Sequence, residues 1–335
     1  MIIEAISKLI KKEDLTGAEA EAVMEELMTG KATPSQTAAY LTALHMKGET
    51  IEEITASAIG MRNQCTRLEP SYDTLEIVGT GGDCAQSINI STTAALIVAA
   101  TGNKVTKHGN RAASSNCGAA DVLEALGVNL NIEPEDNLKV LDESNFCFMF
   151  AQKYHASMRF VGPTRKEIKI PTIFNILGPL ANPAFATLQL LGVYSEDLLV
   201  PLAKTLSNLG VKRGMVVYGT DGLDEISIGA PTKVCEFGDG KFDTYEITPE
   251  QFGFKRATRD DLKGGDPKEN AAITKAILSG TETGAKADAV IFNAGAALHI
   301  TNNITIEEGI KLAKETITNG SALKQLEKLV ELTNK

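Results

Sequence analysis

Tryptophan is absent from these 335 residues, and histidine is scarce, with only His45, His108, His155 and His299. No two of the four are spaced as metal ligands are, which excludes a local zinc motif. The five cysteines, Cys65, Cys84, Cys117, Cys147 and Cys235, are scattered, odd in number and form no CxxC pair. That excludes a disulfide framework and fits a reducing compartment. Long apolar runs are also missing. Apolar stretches such as 94–100 and 289–292 fall far short of the roughly 20 residues that span a bilayer. Near the N-terminus Ile2, Ile6, Leu9 and Ile10 share a helical face, but Glu4 and Lys8 interrupt them, so no signal-peptide core forms. A cytoplasmic protein with no membrane partner is expected. Positive charge is in deficit, with 33 Lys and Arg against 43 Asp and Glu and a net charge of −10. Such a surface repels phosphate backbones, so no nucleic-acid partner is expected. A local basic pocket for a small phosphate ligand is still allowed.

What is present is an ordinary globular composition, 43% hydrophobic and 23% charged, in a length that suggests two domains. Residues 1–65 read as helices. Thr16-x-x-Glu19 and Thr50-x-x-Glu53 are capping boxes, and Thr33-Pro34 opens a third helix. Val23, Met24, Leu27 and Met28, then Tyr40, Leu41 and Leu44, then Ile54, Ala58 and Met61 mark buried stripes. The texture changes near Pro70. Strands are expected at 75–78, 104–107, 187–193, 214–219 and 288–293. Helices are expected at 92–101, 119–126, 197–209, 268–279 and 305–317. Alternation of this kind implies an α/β fold with a mostly parallel central sheet.

Four stretches carry chemistry. Gly79-Thr-Gly-Gly-Asp83 follows a strand, where glycines let main-chain N–H groups approach a phosphate. Its spacing is neither GxGxxG nor a GK[ST] loop, which excludes a dinucleotide or nucleoside-triphosphate fingerprint. Asn89-Ile-Ser-Thr-Thr93 stands before an apolar helix; its hydroxyls can cap that helix, and the helix N-terminus also attracts an anion. Lys107-His-Gly-Asn-Arg-Ala-Ala-Ser-Ser115 gathers two cations, an amide and two hydroxyls after a strand. Asp224-Glu225 offers paired carboxylates, and Mg²⁺ commonly takes one or two of these plus substrate phosphates.

Together these stretches resemble the anthranilate phosphoribosyltransferase family. The likeness runs in order over nearly the whole chain, through LTALHMKGETIEEI (41–54), GTGGD (79–83), NIST (89–92), KHGNRA (107–112), GAADVLEALGV (118–128), TIFNILGPLANP (172–183) and DGLDE (221–225). It implies a small all-helical domain at 1–69, with a return segment near 170–185, and a larger α/β domain at 70–335 that binds phosphoribosyl pyrophosphate (PRPP). It implies a homodimer formed through the helical domain. The residues matching the family's PRPP-binding positions are Gly79, Gly82, Asp83, Ser87, Asn89, Ile90, Ser91, Thr92, Lys107, His108, Gly109, Asn110, Arg111, Ala112, Ala113, Ser114, Ser115 and Ala119. Gly79, Asn110 and Arg165 match its anthranilate positions, and Ser91, Asp224 and Glu225 its Mg²⁺ positions, with two ions per subunit. Departures occur at Asn116 and Ala119, where the family commonly has lysine and serine, at Pro171 and at Ala156.

The implied reaction is Mg²⁺-dependent transfer of the 5-phosphoribosyl group from PRPP to the amine of anthranilate, the second step of tryptophan synthesis from chorismate. Two alternatives stand beside it. One is a transferase with a different aromatic amine, and the other is a non-catalytic paralogue that binds nucleic acid. A nucleoside phosphorylase would need no Asp-Glu metal pair.

Overall fold

The computed structural model describes residues 1–83, 85–112 and 116–335. Cys84, Ala113, Ser114 and Ser115 lie outside them. Four helices lead the chain: α1 (Ile2–Leu9), α2 (Gly17–Met28), α3 (Pro34–Lys47) and α4 (Ile51–Asn63). Thr16, Thr33 and Thr50 each close a capping box with Glu19, Gln36 and Glu53, so the signals for α2, α3 and α4 are used as written. The expected stripes are buried. Of the α1 stripe, Ile6 is half-buried and Ile10 is not buried. Ile10 lies past the end of α1 and is 69% exposed.

Seven strands follow: β1 (Leu75–Gly79), β2 (Val105–Gly109), β3 (Phe146–Phe150), β4 (Leu188–Gly192), β5 (Arg213–Gly219), β6 (Thr232–Gly238) and β7 (Lys241–Ile247). Their order is β3-β2-β1-β4-β5-β6-β7. The first five are parallel, while β6 and β7 are antiparallel additions. The remaining helices are α5 (Ile90–Ala100), α6 (Ala119–Ala125), α7 (Pro134–Ser144), α8 (Ala151–Tyr154), α9 (Gly162–Ile168), α10 (Phe174–Leu180), α11 (Leu199–Asn208), α12 (Pro267–Leu278), α13 (Ala285–Asn302), α14 (Ile306–Thr318) and α15 (Ser321–Thr333).

Successive strand residues point to opposite faces, and the sheet uses both. Leu188, Leu190, Met215 and Val217 join one core with α5, α13, α14 and α15. Leu191, Val193 and Val216 join another that contains α11, α10 and the apolar stripes of α1–α4. The fold is therefore a helical N-terminal region against an α/β region with a mostly parallel sheet.

One expected strand is wrong. Residues 288–293 lie within α13, which is buried on every side from Ala289 to Leu298. A helix apolar all round has no polar face to set a 3.6-residue period, so a short run inside it reads like a buried strand. Three strands were also not anticipated. β3 is an unbroken buried run, whereas β6 and β7 form a hairpin whose last strand is largely exposed.

Candidate active site

Chain order reverses between β1 and β4, which lie side by side with Gly79 opposite Gly192. A ligand crevice opens at the carboxyl ends of strands at such a reversal. Here the loop carrying Asp224 folds back onto both glycines. A Cβ on Gly79 would stand 2.2 Å from the Asp224 carboxylate, and one on Gly192 would stand 1.7 Å from its main-chain oxygen. Both positions require glycine because another backbone lies against them. Gly81 then donates its N–H to Asp224 Oδ2 at 2.6 Å. The GTGGD turn is thus tied to the acidic loop.

Asp224 and Glu225 are 9% and 8% exposed. Glu225 accepts the Ser91 N–H at 3.2 Å, in the first turn of α5. This corrects the capping expectation. Asn89 is the N-cap, but its side chain makes no cap bond, and a carboxylate from a distant loop takes the helix N-terminus instead. Burial raises the proton affinity of Asp224, with Asp83 and Glu225 adding repulsion. Burial also raises that of Glu225, partly offset by Lys107 and Ser91. Lys107 is no loop charge. It lies in β2, 1% exposed, and its Nζ donates to the Ile77 carbonyl at 2.5 Å and to Ser91 Oγ at 3.4 Å. Burial lowers its affinity for the proton, while Glu76 and Glu225 oppose that.

Such a donor set fits a divalent ion. Two buried carboxylates with raised proton affinity gain from a cation more than solvated ones do. Among the described residues, no three His, Cys, Asp or Glu side chains form a ready cage. Mg²⁺ ordinarily completes its shell with water and substrate phosphate, so one face left to the substrate is what the ion needs.

The other expected residues fall into two groups. Ser87 bridges to Lys263, and Ile90 and Thr92 are buried in the start of α5. Asn89 donates to the Cys117 carbonyl at 3.1 Å and accepts from Asn270 at 3.0 Å. It therefore joins the start of α5 to the loop that follows β2. In that loop Gly109 ends β2, and Asn110 is exposed. Arg111 is committed to acids, reaching Asp121 at 3.0 Å and Glu124 at 2.8 Å. Asp121 also accepts the N–H groups of Ala112 and Gly118 at 2.8 and 2.9 Å. Ala119 begins α6 half-buried.

His108 is 7% exposed, its ring centroid 5.0 Å from that of His155. Burial pushes it down to about 3, so it is neutral and a weak base. Its main-chain N–H donates to Glu76 Oε2 at 3.0 Å. Burial pushes the Cys117 thiol up to about 11, which leaves no thiolate nucleophile there. Arg165 lies half-buried on α9, its guanidinium 5.2 Å from the Phe174 ring centroid. Among the described residues it has no ion-pair partner within 4.0 Å.

Two residues were missed. Glu76 is 1% exposed in β1, and its one signal was an acid inside an apolar strand run. Asn270 had no signal, since one amide in a helix is ordinary.

Comparison with known proteins agrees with this geometry. Residues 3–65 match the helical bundle domain, and residues 71–323 the α/β domain, of a glycosyl transferase family. The chain is 57% identical over 336 residues to the anthranilate phosphoribosyltransferase of Lachnoclostridium phytofermentans, with 100% of both covered. The crystal structure of that enzyme from Thermus thermophilus aligns with a TM-score of 0.94 at 45% identity, covering 99% of each chain. The Saccharomyces cerevisiae enzyme in complex with PRPP and Mg aligns at 0.92 and 29% identity, covering 99% of this chain and 98% of that one. Full-length identity of this size places the chain in the anthranilate phosphoribosyltransferase family.

Proposed function

We propose that this chain transfers the 5-phosphoribosyl group of PRPP to the amine of anthranilate at the crevice between β1 and β4. The observation that carries the reading is the meeting of a glycine turn, a helix N-terminus and two buried carboxylates over Gly79 and Gly192. Ser91, Asp224 and Glu225 are read as the metal donors, for two Mg²⁺ ions per subunit. Bound there, Mg²⁺ supplies charge neutralisation for the leaving pyrophosphate. Gly79, Gly82, Asp83 and the loops around Ser87–Thr92 and Lys107–Ala112 hold PRPP, as does Ala119. Ala113, Ser114 and Ser115 belong to the same reading but lie outside the described residues.

The bond from ribose C1 to the pyrophosphate oxygen breaks, and one from C1 to the anthranilate nitrogen forms. The nitrogen becomes acidic only as it bonds, so its proton needs no strong base. The neutral, buried His108 fits that economy. Arg165 meets the anthranilate carboxylate. Its guanidinium is already stacked on Phe174 and lacks an ion-pair partner among the described residues, so carboxylate binding breaks no existing pair. Asn110 and Gly79 complete the acceptor site. Positioning and electrostatics then provide most of the rate.

Residues 1–69, with 170–185, act as one body that closes on 70–335 to exclude water from C1. Ile3 and Met46, 62% and 77% exposed on α1 and α3, form the surface for a second copy in a cytoplasmic homodimer. A light-scattering mass near 35.7 kDa would reject the dimer.

Anthranilate fluorescence tests the reaction. Signal loss that needs protein, PRPP and Mg²⁺ together, and stops with a chelator, supports it. No loss with PRPP still bound would point to another acceptor amine. Neither loss nor PRPP binding would overturn the reading.

A further inference from the structure

Ile226 directly follows Glu225. It is fully buried, yet it belongs to no strand. Both of its main-chain polar groups are nevertheless satisfied by one side chain. The Ile226 N–H donates to Asn293 Oδ1 at 3.0 Å, and Asn293 Nδ2 donates to the Ile226 carbonyl at 3.0 Å. The same nitrogen donates to the Ala289 carbonyl at 2.9 Å, one turn back along α13. Asn293 itself is 0% exposed.

The amide thus does for Ile226 what the peptide group of a neighbouring strand would do. In its ordinary state at neutral pH, only a primary amide side chain presents an acceptor and donors side by side in one plane, so the pairing suits its chemistry. A buried peptide group left bare is rare in folded proteins, and Asn293 keeps this one from being so. On its opposite side the loop is pressed onto Gly79 and Gly192, with no room for a single Cβ. The loop bearing Asp224 and Glu225 is therefore held between the carboxyl ends of two central strands and a buried helix. From Ala289 to Leu298 every other residue of α13 is apolar or glycine, so a polar residue at 293 stands out as the loop's partner.

We propose that Asn293 is a positioning residue for the metal site, fixing the main chain of Ile226 so that Asp224 and Glu225 face the substrate as a preformed pair. The inference rests on the metal reading of those two acids given above. Groups that orient metal ligands change metal-linked affinity by about 10- to 100-fold when removed.

The test is calorimetric titration of PRPP into the full chain, with Mg²⁺ and with a chelator, for the native protein, Asn293→Asp and Asn293→Ser. The aspartate keeps an acceptor for the Ile226 N–H and loses the amide donors; the serine removes the clasp without adding charge. In the native protein Mg²⁺ should tighten PRPP binding. If it does not, the metal reading itself fails. In the variants the metal-free Kd should stay within about twofold, while the tightening by Mg²⁺ falls by about tenfold or more. Native-like tightening in a folded variant overturns the proposal. So does a parallel loss with and without Mg²⁺, which marks a core residue only. Should the aspartate not fold, the serine decides, and failure of both to fold also overturns it.

Discussion

Glu225 accepts a hydrogen bond from the Ser91 main-chain N–H across 134 residues of sequence. This bond joins the acidic loop to the N-terminus of α5. It brings a carboxylate and an anion-attracting helix end to the same place, a combination suited to a metal and a phosphate arriving together. Replacing Asp224 and Glu225 with alanine should reduce kcat/KM on the order of a hundredfold or more and flatten its Mg²⁺ dependence. Steady-state rates across a Mg²⁺ titration check this. Native kinetics would remove the metal assignment.

Gly192→Ala should be costly although residue 192 contributes no side chain to the chemistry. The new Cβ meets the Asp224 main-chain oxygen at 1.7 Å, and a backbone atom cannot rotate away. Overpacking of this kind costs about 1–3 kcal/mol, so a lower melting temperature and impaired Mg²⁺-dependent turnover are expected together. An unchanged melting curve with full activity would show that the loop is not pressed on the sheet.

Asn270→Asp should weaken PRPP binding with little effect on anthranilate. It removes the donor that orients Asn89 and faces the Asn89 oxygen with a carboxylate. Asn89 then has reason to turn and release the Cys117 carbonyl. A rise in the PRPP KM of about tenfold is expected, and KM values for each substrate measured separately decide it.

Arg165→Lys should raise the anthranilate KM by about tenfold or more while PRPP binding stays native. Lysine keeps the charge but loses the planar fork and the stacking on Phe174. If lysine serves as well as arginine, the carboxylate is held elsewhere.

His299 and Glu236 should make stability depend on pH. His299 Nε2 lies 2.9 Å from Glu236. The pairing, led by its hydrogen bond, raises His299 above 6.5 and lowers Glu236 below 4.5. The histidine's contribution is full below 6.5 and is lost as pH rises through its raised folded value. The glutamate's contribution is present above 4.5 and is lost as pH falls through its depressed one. Glu236→Gln should therefore lower the melting temperature more at pH 6 than at pH 9. Equal losses at both would show that the pair contributes no charge-dependent stability.

Features written in adjacent residues were legible from the sequence alone. Thr16, Thr33 and Thr50 act within their own first turns, and GTGGD and DGLDE are contiguous, so neither the α/β class nor the family depended on long-range contacts to be read. Tertiary structure decided what depends on a distant partner. It turned 288–293 into a buried helix, because the surroundings rather than a periodic pattern decide between two apolar conformations. It placed Lys107 inside the sheet and committed Arg111 to Asp121 and Glu124. It pressed Asp224 onto Gly79 and Gly192 and brought Asn270 to Asn89 across 181 residues. Charge, amide and glycine each acquire a role only from the group placed opposite, and the chain's crossing between β1 and β4 sets that placement.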